Sequence, residues 1–188
     1  MKAPILAAAL LAAAGPATAD SYRTAVFAGG CFWSAEHDIE HQPGVVDVVV
    51  GYAGGERRNP TYRNHAGHLE AIKVTYDPSK TSYTRLVSGF FHNIDPTDPN
   101  GQICDQGPSY RTAVFVADAQ ERVAAEAVKA QVAKEIGKPV ATMILPAATF
   151  WMGENYHQDY ARKNPAAYKA YRIGCGRDRA IKAVWAKR

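Results

Sequence analysis

The chain has 188 residues, a formal net charge of +4 and 47% hydrophobic residues, which fits one folded domain with a real core. Basic residues are scattered apart from a modest C-terminal group (Arg177, Arg179, Lys182, Lys187, Arg188) that reads as a solvated helix face, so nucleic-acid binding is not expected. Three cysteines, Cys31, Cys104 and Cys175, are an odd number for a structural disulfide framework; they suit a redox-active thiol with a partner, or equally one structural bridge plus one buried free thiol.

Lys2 is followed by an apolar run from Ile5 to Ala14, then Gly15-Pro16 and Ala17-Thr18-Ala19. This is the order of a secretory signal, with cleavage expected after Ala19. It predicts an exported protein, periplasmic or extracellular, whose residues 20–188 form a single domain. The run is short for a permanent bilayer span, and no later segment is long and apolar enough for one. A first strand is expected at 24–28 and a helix at 32–41, stopped by Pro43-Gly44. Strands follow at 45–52 and 68–76, separated by a loop rich in breakers, and a helix at 82–92. Residues 95–109, with three prolines and two glycines, predict a long loop. Then come a strand at 110–116, an amphipathic helix at 119–136, a short strand at 142–146 and a helix at 155–163. The order predicts an α+β fold of the split βαβ, ferredoxin-like type, a mixed sheet with helices packed against it and an extended C-terminal tail.

The chemistry centres on Gly29-Gly30-Cys31-Phe32-Trp33. The glycines permit a sharp turn between strand and helix. A cysteine at a helix N-terminus meets unpaired N–H groups and the positive end of the helix dipole, both of which favour thiolate. The two aromatics supply an apolar wall. No set of histidines with thiols or carboxylates has a compact metal-binding spacing: His37 and His41 are helical neighbours, and His65 and His68 are close, but neither pair is completed. Gly51–Gly55 lacks the lysine and hydroxyl of a phosphate loop.

Gly30-Cys31-Phe32-Trp33, Gly51-Tyr52-Ala53-Gly54-Gly55, Asn59-Pro60-Thr61-Tyr62, Gly67-His68-Leu69-Glu70 and Ser109-Tyr110-Arg111 occur in this order. Together they resemble the A-type peptide methionine sulfoxide reductases, from about residue 24 to about 168. The resemblance implies that Cys31 attacks the sulfur of a methionine-S-sulfoxide, leaving a sulfenic acid and methionine. It implies Glu70 as proton donor, and Tyr62, Asp105 and Tyr110 around the sulfoxide oxygen. Phe32 and Trp33 would enclose the substrate's methyl, with Gly30, His68 and Tyr168 completing the binding region; His68 is expected to shape the pocket rather than act as a base. No metal or organic cofactor is implied, only an external dithiol such as a thioredoxin-like protein, and the enzyme is expected to act as a monomer.

The tail departs from the commoner family pattern. Lys169 follows Tyr168, and the next cysteine lies in Gly174-Cys175-Gly176-Arg177. Flanking glycines give Cys175 the expected mobility to resolve the Cys31 sulfenic acid, and its arginine neighbour would favour thiolate. Cys104, beside Asp105, is the competitor, either resolving directly or relaying a disulfide to Cys175. Two other readings stand beside the reductase. A thiol hydrolase or acyltransferase would need a histidine poised against Cys31, and a binding module with an aromatic groove would have no reason to place a thiol there.

Overall fold

The computed structural model describes residues 21–186; the expected signal segment lies outside them. In chain order the elements are β1 (Arg23–Ala28), α1 (Phe32–Ile39), β2 (Val45–Ala53), β3 (Leu69–Tyr76), α2 (Tyr83–His92), β4 (Gly101–Gln102), β5 (Asp105–Gln106), a 3₁₀ turn (Pro108–Tyr110), β6 (Ala113–Val116), α3 (Ala119–Ile136), β7 (Met143–Pro146), β8 (Trp151–Met152), α4 (Tyr160–Lys163), α5 (Pro165–Cys175) and α6 (Arg177–Trp185). The main sheet has the order β7-β6-β1-β3-β2-β8. Every neighbouring pair is antiparallel except β6 with β7, which is parallel. The protein is thus α+β, a mixed sheet with helices.

Alternation along each strand splits the apolar residues between two layers. Ala25, Phe27, Val50, Tyr52, Ile72, Val74, Val114 and Val116 face the helices and form the main core with Phe32, Ile39, Leu86, Phe90 and Val128. Phe27 stacks on Phe90 with ring centroids 4.9 Å apart. The intervening residues Ala28, Ala53, Leu69, Ala71, Ala113 and Phe115 form a smaller cluster. Glu70 belongs to the same register as Ile72 and Val74, so the strand period itself aims this carboxyl into the main core. Helices α2 and α3 start on side-chain caps, Ser82 accepting from the Arg85 N–H and Asp118 from the Glu121 N–H.

Three segments differ from the sequence expectation. The long loop at 95–109 contains a tight hairpin, β4–β5, whose turn residue Ile103 sits at φ +61, a left-handed conformation strained for a β-branched side chain. The expected helix at 155–163 is helical only from Tyr160, because Asp159 is also left-handed (φ +56). The tail is not extended: Pro165 opens α5, and Gly176, left-handed at φ +67, ends it and starts α6. These helices are clasped to α1 by a polar cluster. Asp38 accepts from Arg172 at 2.7 Å and from Arg177 at 3.1 Å, and Arg177 also donates to the Asn93 carbonyl at 2.9 Å. Arg177, expected on a solvated face, is completely buried. Trp185 stacks on His92 and donates to the Ile94 carbonyl, seating α6 beside α2. Among the described residues no helix is long and apolar enough to cross a membrane.

Candidate active site

Strand β1 ends at Ala28, and the chain turns at Gly29-Gly30 into α1. Gly30 has φ +84, and a Cβ there would lie 2.5 Å from the Gln102 side chain, so the turn requires glycine for both conformation and space. Cys31 is the N-cap of α1, 7% exposed, and is a free thiol. The first helical N–H, that of Phe32, donates to Glu70 Oε2 at 3.0 Å. The helix end expected to hold a thiolate is therefore shared with a buried carboxyl. Burial, followed by the Glu70 carboxylate and then Asp105, pushes the Cys31 thiol up to about 12, against hydrogen bonds from Tyr171 and the Trp33 N–H that favour thiolate.

Glu70 is only 1% exposed, and burial pushes its carboxyl up to about 8, although the Phe32 N–H favours the charged form. At neutral pH it keeps a proton, and it then no longer repels charge on Cys31. A protonated donor and a nucleophilic sulfur thus coexist at one helix end. Burial raises the pKa values of Tyr62 and Tyr110, and charge on Glu70 and Cys31 raises both further. Asp105, raised by burial, accepts from Tyr171 at 2.6 Å, and charge on Cys31 raises the Tyr171 hydroxyl beyond the effect of burial. The five residues expected around the reacting atoms, Cys31, Glu70, Tyr62, Asp105 and Tyr110, are brought together.

The aromatic wall is built in two layers. Phe32 is buried and packs against Tyr52 (5.8 Å between centroids) and His157 (4.9 Å). Trp33 stacks on Tyr160 at 3.8 Å and meets Tyr171 edge-on at 6.2 Å. Its indole N–H donates to His157 Nδ1 at 3.0 Å. His157, the histidine of this wall, accepts the Trp33 N–H on Nδ1, while its Nε2 is buried without a partner among the described residues.

Two expected binding residues stand back from the reacting atoms. His68 is buried behind the loop after β2, its ring nitrogens engaged with the Gly55 N–H and the Arg57 carbonyl. Tyr168 packs edge-on against His37 and accepts from Arg172, so it joins α5 to α1 rather than facing the thiol. One metal-site expectation also changes. Glu40 stands between His37 and His41, within 3.4 and 3.5 Å, where the sequence reading found no completing carboxylate.

Sequence reasoning missed Tyr52, Glu154, His157, Tyr160, Tyr171 and Glu36. Glu154 binds both the Tyr52 hydroxyl and the Tyr62 N–H, at 2.9 Å each, and so ties the Tyr62 loop to the sheet. Glu36, pushed up to about 7 by burial, accepts from the Asp159 N–H and anchors the segment bearing His157 and Tyr160. The dense string Glu154-Asn155-Tyr156-His157-Gln158 was the available signal.

Neither remaining cysteine pairs with Cys31. Cys104, at the tip of the β4–β5 hairpin, and Cys175, the last residue of α5, form a disulfide with Cα atoms 5.2 Å apart. The mobility expected of Cys175 is replaced by a helix end, and its neighbour Arg177 is committed to Asp38.

The family model for peptide methionine sulfoxide reductase matches residues 23–188. The chain is 51% identical over 185 residues to peptide methionine sulfoxide reductase MsrA 2 of Caulobacter vibrioides, covering 95% of this chain and 94% of that protein. Among solved structures, it is similar to Mxr1 of Saccharomyces cerevisiae in reduced form (TM-score 0.73, 31% identity, 77% of this chain and 87% of that one). It is also similar to Mxr1 in complex with Trx2 (TM-score 0.52, 25% identity, 74% and 85%). With a buried thiol and a protonated carboxyl meeting at one helix N-terminus and the family pattern running through the described fold, the chain belongs to the A-type peptide methionine sulfoxide reductases.

Proposed function

We propose that the protein reduces methionine-S-sulfoxide, free or in proteins, with Cys31 as nucleophile. The observation that carries this reading is the shared helix end, where Glu70 holds a proton near neutral pH beside the Cys31 sulfur. Cys31 sulfur attacks the sulfoxide sulfur. The oxygen moves to Cys31 as it gains a proton from Glu70, and the proton lost by the Cys31 thiol returns Glu70 to its acid form, giving a Cys31 sulfenic acid and methionine. Tyr62 and Tyr110 donate to the polarised oxygen, Asp105 orients the network, and Phe32 with Trp33 packs the methyl group.

The Cys104–Cys175 pairing supports one order of resolution. Cys104 attacks the Cys31 sulfenic acid, forming a Cys31–Cys104 disulfide and releasing water. Cys175 then attacks Cys104, and Cys31 returns as a thiol. A thioredoxin-like dithiol reduces the Cys104–Cys175 disulfide, by analogy with the complex of Mxr1 with Trx2. The reaction needs no metal or organic cofactor. The leader sequence supports export, so the reductant would act outside the cytoplasm; the protein would act as a monomer and without nucleic acid. The β6-β1-β3-β2 order of the central strands supports a split βαβ plait at the centre of the fold.

The test is incubation with chiral methionine sulfoxide and dithiothreitol. Methionine should form from the S epimer alone, and turnover that survives Cys31→Ser would sink the reading.

A further inference from the structure

The β4–β5 hairpin and α5 are joined twice. One link is covalent, Cys104 to Cys175. The other is the 2.6 Å hydrogen bond from the Tyr171 hydroxyl to Asp105. The two links are adjacent on both partners. Asp105 follows Cys104 directly, and Tyr171 precedes Cys175 by four residues, about one helical turn, so both project from the same face of α5. The Asp105 oxygen and the two sulfurs lie within 4.8 Å of one another. Its ring meets Trp33, two residues beyond Cys31, edge-on, and charge on Cys31 raises its hydroxyl beyond the effect of burial, so this side chain stands between the nucleophile and the exchange pair.

We infer that Tyr171 is a positioning residue for the exchange step, holding the hairpin against α5 and over Cys31 whenever the Cys104–Cys175 disulfide is open. The inference rests on the proposal that Cys104 is the thiol that meets the Cys31 sulfenic acid. The covalent link is absent in that state, because Cys104 must be a free thiol to attack. The hairpin itself is stiff: Gln102 is bonded to both backbone groups of Asp95, and Gln106 donates to Asp98. What needs holding is the position of this stiff tab relative to α5 and α1. Among the described residues, the Tyr171–Asp105 bond is the one hydrogen bond between hairpin and α5, and opening the disulfide removes neither of its partners. Ring contact with Trp33 fixes Tyr171 on its other side. Keeping Cys104 near both sulfurs raises its effective concentration toward each. During exchange a sulfur–sulfur bond forms between Cys31 and Cys104 as the sulfur–oxygen bond breaks and water leaves. Attack by Cys175 then transfers that bond to Cys104–Cys175, and the same clasp keeps all three sulfurs together.

Rapid-quench single turnover, without added reductant, separates methionine release from loss of sulfenic acid, which dimedone traps and peptide mapping locates. Tyr171→Phe keeps the ring and deletes the bond. It should slow resolution at least tenfold more than it slows methionine release, so that dimedone-labelled Cys31 accumulates. Equal slowing of both steps, or none, would overturn the inference. Diamide should still close Cys104–Cys175 in this variant. Failure to close it would mean that the tyrosine builds α5 rather than positions Cys104, which also overturns the inference. Cys104→Ser is the separate check on the underlying order. If this variant links Cys31 to Cys175 as quickly as wild type loses its sulfenic acid, the order itself is wrong, whatever Tyr171→Phe does. If Cys104→Ser accumulates sulfenic acid and Tyr171→Phe does not, the order stands and the role of Tyr171 falls.

Discussion

The nucleophile and the exchange pair occupy opposite kinds of structure. Cys31 sits at a strand–helix junction at the edge of the main core, 7% exposed, beside the buried Glu70 and Phe32. Cys104 and Cys175 sit on a two-residue hairpin tip and a helix terminus, both more open, with Cys104 exposed. Each placement follows from its chemistry. Attack on a sulfoxide depends on a carboxyl that is still protonated at neutral pH, which burial supplies at the cost of thiolate. Thiol–disulfide exchange with another protein depends on access, which a core position denies. One protein divides the two demands between two regions and joins them through Tyr171 and Asp105.

The comparison breaks most sharply at Cys31. Cys31→Ser should remove methionine formation entirely, whereas Cys104→Ser should still form methionine once per enzyme and then stall without added reductant. Product counting in a reductant-free quench distinguishes them. Next, Glu70→Gln should slow methionine release by about 10²- to 10³-fold, the usual scale for a lost general acid. Glu70 is active as the protonated form, so the first-step rate of the wild type should fall as pH rises through about 8, and the variant should lack that limb. The same group carries a stability signature. Its folded pKa lies above the ordinary carboxylate value, so its ionisation destabilises the fold increasingly between about 4.5 and 8. Thermal melts should therefore show Glu70→Gln gaining on wild type as pH rises from 4 to 9, by an amount on the order of a few kcal/mol; parallel melting curves would remove the buried ionisation.

A third prediction addresses the exchange side. Arg177→Ala leaves Asp38 with Arg172 as its remaining partner and should cost about 3 kcal/mol in denaturant unfolding. It should also slow disulfide exchange more than the first methionine release, because α5 and α6 depend on this clasp. The smallest effect is expected at the hairpin tip. Ile103→Asn relieves a left-handed backbone and should stabilise the oxidised protein by about 1 kcal/mol; an unchanged midpoint would mean that lost Ile103 packing offsets the relief.

The two regions also differ in how far the sequence reveals them. Cys31 and Glu70 lie on a strand–turn–helix and a strand, where apolar period and glycine placement report structure directly. The register that aims Glu70 inward is visible as the alternation Glu70, Ile72, Val74, Tyr76. The exchange side depends on long-range pairings that leave no local pattern. Nothing near Arg177 announces that Asp38, far back in the chain, takes it into the interior. Gly174 and Gly176 suggested a mobile Cys175, but the αL cap that Gly176 supplies is a helix terminator, and Gly174 is absorbed into α5. Tyr171 and His157 were invisible for a related reason. Each works through a partner from a distant segment, Asp105 and Trp33 respectively.

A disulfide confined to Cys104 and Cys175 has a consequence in electron counting. On the proposed order of resolution, the two oxidising equivalents from one sulfoxide are parked away from the site that generated them, and Cys31 is again a thiol. A fully reduced molecule can therefore discharge two sulfoxides before any partner arrives, the first stored as the disulfide and the second as sulfenic acid on Cys31. On that order the protein would work as a small capacitor for oxidising equivalents, absorbing brief surges of oxidised methionine at a rate set by its own chemistry rather than by its supply of reductant.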